Sequence, residues 1–439
     1  MKNIFYPTMF VAAALLMLAM LMVPRALASP STVTFIVDSV LDQIDDDTSD
    51  GVCHSAANHC TLRAAIMQAN HLTVPGVTTI VVPTGTYTLT RPVSGANGED
   101  NGDLNLTAPL SPNQSISING AGAASTIIDA NRIDGAIGIA LGRTANIDGV
   151  TIRNGYRQVS NYNGGGIHNQ GALTIIDCVI EGNQGDLGGG IATENSATLD
   201  VIRCTIRSNV GTVGGGMYVA GPTTVRDSTI YANGANLGGG IFNGNTLYVV
   251  NSTISQNNAD THGGGIYSRS TTALYNTSVI DNDADHDRDE NGGIGGGVYG
   301  AAEPGTRFIV VNTLIAGNTI LNAPIYNDCN GMLEVYGWNL FGDVTGCTFS
   351  GNGFASWGGI SLNTIGPLQD NGGPTWTHAL LAGSAAIDTT IDSLGCVNET
   401  GALLTTDQRG APRPVGARCD VGAFEYSPPR YLYLPLIVR

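Results

Sequence analysis

The sequence predicts an all-β protein: a right-handed parallel β-helix, a solenoid of about 24 to 26 residues per coil, with a short helical cap before it and a capping or anchoring region after it. Three observations carry this expectation. Glycine triplets begin at residues 164, 188, 214, 238, 263 and 295, in steps of 24, 26, 24, 25 and 32. Each coil closes on an asparagine: Asn183, Asn209, Asn233, Asn257, Asn282 and Asn318. Alignment on those asparagines lines up columns of like chemistry. Three residues earlier stand Ile180, Ile206, Ile230, Ile254, Val279 and Ile315; eight earlier, Ile175, Val201, Val225, Val249, Leu274 and Val310; five earlier, the small Cys178, Cys204, Ser228, Ser252, Thr277 and Thr313.

Such columns arise when coils stack as parallel strands, each side chain about 4.8 Å above its equivalent. The columns are β-branched, alternation has period 2, and apolar runs last three to five residues, which disfavours a helical solenoid. Ile175 and Cys178, inward on either side of Ile176 and Asp177, mark a corner between short strands. The crossover rule makes the coil right-handed. In four coils the glycines follow the asparagine by five or six residues, where the backbone turns sharply and neighbouring coils approach closely. The stacked asparagines can hydrogen-bond along the axis and satisfy turn backbone that is otherwise buried.

In chain order, residues 1–28 combine a short basic start, an apolar run from about Met9 to Val23 and Ala26-Leu27-Ala28, the pattern of a signal peptide, so a secreted or bacterial cell-surface location is expected. Residues 29–75 are expected to form an N-terminal cap. Within it, 61–70 fit a short helix that lays Leu62, Ala65, Ile66 and Ala69 over the first coil, since an open stack end exposes apolar and hydrogen-bonding groups. The β-helix is expected over 76–325 and a capping or anchoring region over 326–426. The tail 427–439, YLYLPLIVR at its end, reads equally as a sorting signal or a last edge strand. No segment after the signal peptide is apolar and long enough to span a bilayer. All eight cysteines lie in the exported part, where an even count reads as disulfides, and proximity suggests Cys53 with Cys60, Cys329 with Cys347 and Cys396 with Cys419. Cys178 and Cys204 share an inward column on adjacent coils, within disulfide range but with Cβ bonds poorly oriented for bridging; both a bond and two thiols stay open.

Composition narrows the function classes. The formal charge is −17 and Lys2 is the only lysine, so no basic stripe exists for nucleic acid. Sixty glycines without a G-X-Y period exclude collagen and favour turn-rich β structure. The acidic surface suits solubility, divalent cations or a basic partner.

Two constellations bear on chemistry. Asp177, Arg203 and Asp227 project from one corner on three successive coils, two carboxylates about 9 to 10 Å apart with an arginine between them. They are the catalytic candidates, and they equally fit a charge ladder worth about 0.2 to 1 kcal/mol per pair, as Glu181 beside Arg207 does. The 32-residue step hides an insertion, DNDADHDRDENGG, whose Asp283, Asp285, Asp287 and Asp289 alternate as ligands for Ca²⁺ would, although its spacing misses the EF-hand and a solvated acidic turn shows the same pattern. The Asn-Thr-Asp, Gly-His-Gly and Arg-Ile-Lys motifs expected of a hydrolase of this shape are absent, no zinc spacing or phosphate loop occurs, and the tryptophans, Trp338, Trp357 and Trp376, fall near the C-terminal end, leaving few aromatic platforms on the coils.

The GGG[IVM] repeat resembles those of bacterial polymorphic outer-membrane proteins. DGVCHSAANHCTLRAAIMQAN, residues 50–70, resembles the Cys-Ser-Leu-Arg-Glu-Ala-Ile (CSLREA) domain of secreted bacterial β-helices, with Thr61 in place of Ser and Ala64 in place of Glu. GPLQDNGGPTWTHALLAGSAAIDTT and DQRGAPRPVGARCDVGAFEY, residues 366–390 and 407–426, resemble the choice-of-anchor Q domain. Together these resemblances cover about 34–426 and imply export and surface residence without a settled activity. The expectation is a non-catalytic, adhesin-like surface rod in contact with a polysaccharide or a cell-envelope component. The alternative is a pectate lyase-like polysaccharide lyase or a glycoside hydrolase acting on an acidic glycan; fold alone cannot choose.

Overall fold

The computed structural model describes residues 31–93, 98–157, 164–287, 292–320, 325–357, 360–390 and 395–428. The expected signal peptide, Asp289 and the tail beyond 428 lie outside them.

One coil shows how the sequence builds the stack. Ala172–Ile176, Val179–Glu181, Gln184–Leu187 and Ile191–Thr193 are its four strands, and their equivalents stack into four sheets, called A, B, C and D in that order. Pairing between successive coils of the repeat is parallel, and its register reproduces the aligned columns; only the last strand of sheet C, Ile325–Tyr326, runs antiparallel to its neighbour among the described strands of the stack. In sheet A Ile175 pairs with Val201, Val201 with Val225, Val225 with Val249, Val249 with Leu274 and Leu274 with Val310. In sheet B Ile180, Ile206, Ile230, Ile254, Val279 and Ile315 follow one another in the same way. All twelve side chains are fully buried in a single core running the length of the stack. Stacking begins before the repeats and outlasts them: Ser31–Ile36 pairs with Gly76–Val82 at one end, and Cys347–Gly351 and Phe354–Trp357 pair with the preceding coil at the other.

The corners explain the invariant letters of the repeat. Between sheets B and C, each asparagine amide donates from Nδ2 to a carbonyl of the previous coil and to the next asparagine's Oδ1, which also takes the backbone N–H; for Asn209 these are Ile180 O at 2.9 Å and Asn233 Oδ1 at 3.0 Å from both donors. The ladder runs in one direction from Asn183 to Asn318 and ends on the buried carboxylate of Asp328, at 2.8 and 2.7 Å. Between sheets C and D the first glycine of each triplet has φ between +65° and +73°. Close approach requires the third as well, since a Cβ on Gly190 would lie 2.6 Å from the Gly216 carbonyl oxygen.

At the N-terminal end, helix α1, Leu62–His71, packs on strands Gly76–Val82 and Leu104–Leu106, capped by Thr61, whose hydroxyl accepts the Ala64 N–H at 3.1 Å. Threonine thus keeps the capping oxygen that serine would supply. Burial extends around the helix beyond the expected face, because Arg63 is itself 1% exposed, paired with Asp42 at 2.6 Å and donating to the carbonyls of Glu99, Gly102 and Asp103.

The C-terminal region corrects an expectation. Instead of sitting as a lid on the last coil, residues 360–428 run back along the outside of sheet B. Gln408 bridges Thr229 and Thr253 of neighbouring coils at 2.8 and 2.6 Å, His378 meets Ser255 at 2.9 Å, and Gly422 N–H reaches the Asn312 carbonyl. A second apolar core forms there from Ile280, Leu314 and Ala316 of sheet B with Leu380, Ala386, Val421 and Phe424. Sheet B tolerates this cover because its outward positions on these coils are small, hydroxylic or apolar, and the buried Arg413–Glu425 pair, at 2.9 Å, locks the covering segment to itself.

Disulfides join Cys53 to Cys60, Cys329 to Cys347 and Cys396 to Cys419, the pairs proximity suggested. Cys178 and Cys204 are buried free thiols. The column is right, since Cys178 N–H points at Cys204 Sγ at 3.4 Å, but each thiol turns to the carbonyl two residues back, Ile176 and Ile202, as in-register strands keep the two Cβ bonds parallel.

Candidate functional site

Asp177, Arg203 and Asp227 occupy the corner between sheets A and B, each with φ near +50°, as do Asn251, Asn276 and Asn312 above them. The position demands a left-handed residue, which favours Asp and Asn, so Arg203 is the costly member of the column. Its guanidinium grips Asp177 with two bonds of 2.8 Å, both side chains about two-fifths exposed. Asp227 has other partners: Asn251 Nδ2 at 2.6 Å, and Thr375 of the C-terminal region on its carbonyl. Burial pushes its carboxyl above the ordinary range. The corner therefore pairs two of the three candidates and places the third under the covering segment. Arg207 is bonded likewise to Glu181, at 2.8 and 2.6 Å.

Of the acidic insertion, Asp283 opens a short strand of sheet C and is half-buried, with its carboxyl raised by burial. Asp285 is 1% exposed and neither carboxylate oxygen has a hydrogen-bond partner. Asp287 is exposed. Among the described residues no three His, Cys, Asp or Glu side chains converge as a metal site.

The feature that composition did not reveal lies on sheet D. Its outward column, read rung by rung, is Asn105, Gly138, His168, Ala192, Tyr218, Phe242, Tyr267, Tyr299 and Asn330. Four consecutive rings stack: Tyr218 on Phe242 at 5.4 Å between centroids, Phe242 on Tyr267 at 5.2 Å, Tyr267 on Tyr299 at 5.0 Å, with His262 against Tyr299 at 5.0 Å. The coils thus do carry aromatics, in tyrosine and phenylalanine. The signal was in the repeat, because the ring is the second residue after the glycine triplets at 214, 238, 263 and 295.

Below the ladder the column opens into a groove of about 400 Å³, lined by Glu99, Asp103, Asn105, Gly138, Arg157, His168 and Gln170 among others. Arg157 pairs with the buried Asp103 and, at 3.1 Å, with Asp134. His168 meets Glu194 at 3.1 Å, and burial pushes its imidazole below the usual value. The groove's wall is built by the cap: the backbone carbonyls of Glu99, Gly102 and Asp103 are those held by Arg63, and His71, from the last turn of α1, lies 3.3 Å from the Glu99 carboxylate.

Four parallel sheets wound about one continuous core define a right-handed parallel β-helix repeat protein. In agreement, the family model described as "right handed beta helix region" matches residues 114–284, the central part of the stack. No curated protein matches the chain.

Proposed function

We propose that this chain is an exported surface protein that holds a polysaccharide along the outer face of sheet D without cleaving it, with a CSLREA-type module at its N-terminal end and a choice-of-anchor Q-type module along its flank. The observation that carries this reading is the sheet D column. Four rings stack at one-rung spacing next to a polar groove, Phe242 buried between its neighbours and the three tyrosines half-exposed, and tyrosine combines apolar surface with a polar tip at low entropic cost. Three disulfides in the described chain support an oxidising compartment.

Catalysis on an acidic glycan is the second reading, because the groove gathers Glu99, Asp103, Arg157 and His168. Against it, Arg157 is engaged by two aspartates and His168 by Glu194, so both are already held by carboxylates. Incubation of the full chain with neutral and uronic-acid polysaccharides, with and without Ca²⁺, separates the two. Retarded migration in a polysaccharide gel with no new reducing ends or unsaturated products is expected; sustained turnover lost in Asp103→Asn or Arg157→Ala would replace binding by catalysis.

A further inference from the structure

We infer that the sheet D track is blind at its N-terminal end and that the groove there receives the end of a neutral glycan chain; this rests on the polysaccharide-binding reading above. The aromatic ladder starts at Tyr218. Below it Ala192 carries no ring, so two rungs, about 10 Å, separate Tyr218 from His168, where the groove begins. The next rung is Gly138, over which the Asn105 amide lies so closely that a Cβ would stand 2.4 Å from its Oδ1. Beyond it the groove is walled by the segment bearing Gly98, Glu99 and Asp103. That segment is fixed: Arg63 of the cap helix holds three of its carbonyls and is itself fully buried on Asp42. A chain lying along the rings can therefore enter the groove and cannot continue past it.

The lining selects the ligand class. Of the acidic and arginine side chains that line it, Glu99 and Asp103 stand against a single arginine, Arg157, which is already paired with Asp103. A uronate would bring another negative charge to that surplus, whereas vicinal hydroxyls can donate to carboxylates and accept from the exposed Gln170 amide. The volume, about 400 Å³, is at the small end of ligand sites, which suits a terminal unit and not a long segment.

The probes are hexasaccharides of glucan, mannan, xylan and polygalacturonate, each free or blocked at one end by a bulky label, titrated into the full chain by calorimetry. A neutral hexasaccharide is expected to bind, one of its two end-blocked forms about tenfold more weakly, and Gln170→Trp, an exposed position that fills the groove, to weaken the free form by about the same factor. Asn105→Ala, which removes an amide without adding bulk, is expected to show a smaller loss. Equal affinity for free and both end-blocked forms, unaffected by Gln170→Trp but lost in Tyr267→Ala, would overturn the blind end while leaving the track intact. Tighter binding of polygalacturonate would overturn the neutral class. Absence of binding by every probe and by the parent polymers would overturn both this inference and the reading it rests on.

Discussion

Truncation of one rung of the asparagine ladder is expected to destabilise the whole stack. Asn233 is 1% exposed. Its Oδ1 accepts the backbone N–H and the amide of Asn209, both at 3.0 Å, and its Nδ2 donates to the carbonyls of Ile206 and Tyr231 and to Asn257 Oδ1 at 3.0, 3.1 and 2.9 Å. Asn233→Ala deletes all five bonds, leaving the buried Asn209 N–H without its acceptor and its amide with the Ile180 carbonyl alone. At about 1 kcal/mol net per bond, with shared donors discounted, the loss comes to about 3 to 5 kcal/mol. Asn236, three residues on and exposed, is the matched control, and Asn236→Ala should stay within about 0.5 kcal/mol of wild type. Urea unfolding followed by circular dichroism reads both. Because stability in a solenoid sums over neighbouring coils, the midpoint should fall, and a broadened transition would mean the weakened rung has uncoupled the two halves. If Asn233→Ala unfolded at the same urea concentration as Asn236→Ala, the ladder would contribute nothing beyond what water supplies, and the reasoning would fail.

Arg63→Ala removes one partner of a buried pair and should cost about 3 to 5 kcal/mol, whereas Arg203→Ala, two-fifths exposed, should cost less than about 1 kcal/mol; equal losses in thermal unfolding would contradict this ranking. Asp328, at the ladder's end, is pushed by burial up to about 7 from 3.8, with its three accepted hydrogen bonds opposing the rise. Its contribution is full below pH 3.8 and lost as pH rises through about 7, a change of the order of 4 kcal/mol. Buried His378, lowered to about 4, works with the opposite sign, losing its contribution as pH falls below 6.5 toward 4, so the test is the difference between wild type and Asp328→Asn at each pH; a difference flat from pH 4 to 8 would refute it. Millimolar Ca²⁺ is expected to stabilise the folded chain by satisfying Asp285, by about 1.4 kcal/mol at tenfold excess over Kd and so to raise its unfolding temperature, and Asp283→Asn/Asp285→Asn/Asp287→Asn should abolish the response; an identical response in both proteins would place any calcium elsewhere.

The stack was legible in the sequence because a solenoid writes its contacts at a fixed period: Ile180 and Ile206 are neighbours in space for the same reason that they align on the page. Even the corner at Asp177 could be read, from two inward residues flanking two outward ones. Contacts without a period could not. Nothing in the order of residues ties Gln408 to Thr229 and Thr253, so the C-terminal region looked like an end cap when it is a flank. The same limit applies to Arg63, whose partners Asp42, Gly102 and Asp103 come from segments far apart in the chain. The sheet D column stands two residues after each triplet, but its ladder is written in tyrosine and phenylalanine and not in the tryptophans, which lie near the C-terminal end. Asp177, Arg203 and Asp227 drew notice by charge, whereas a left-handed backbone already accounts for the Asp and Asn of that column.

The most direct test of the account is hydroxyl-radical footprinting of the full chain with and without a retained polysaccharide, read residue by residue by mass spectrometry. The account predicts protection of Tyr218, Tyr267 and Tyr299 together with His168, and unchanged labelling of Trp376, which is 42% exposed on the C-terminal flank. Protection confined to Trp376 and its surroundings, with the ladder labelled as in the free protein, would contradict it.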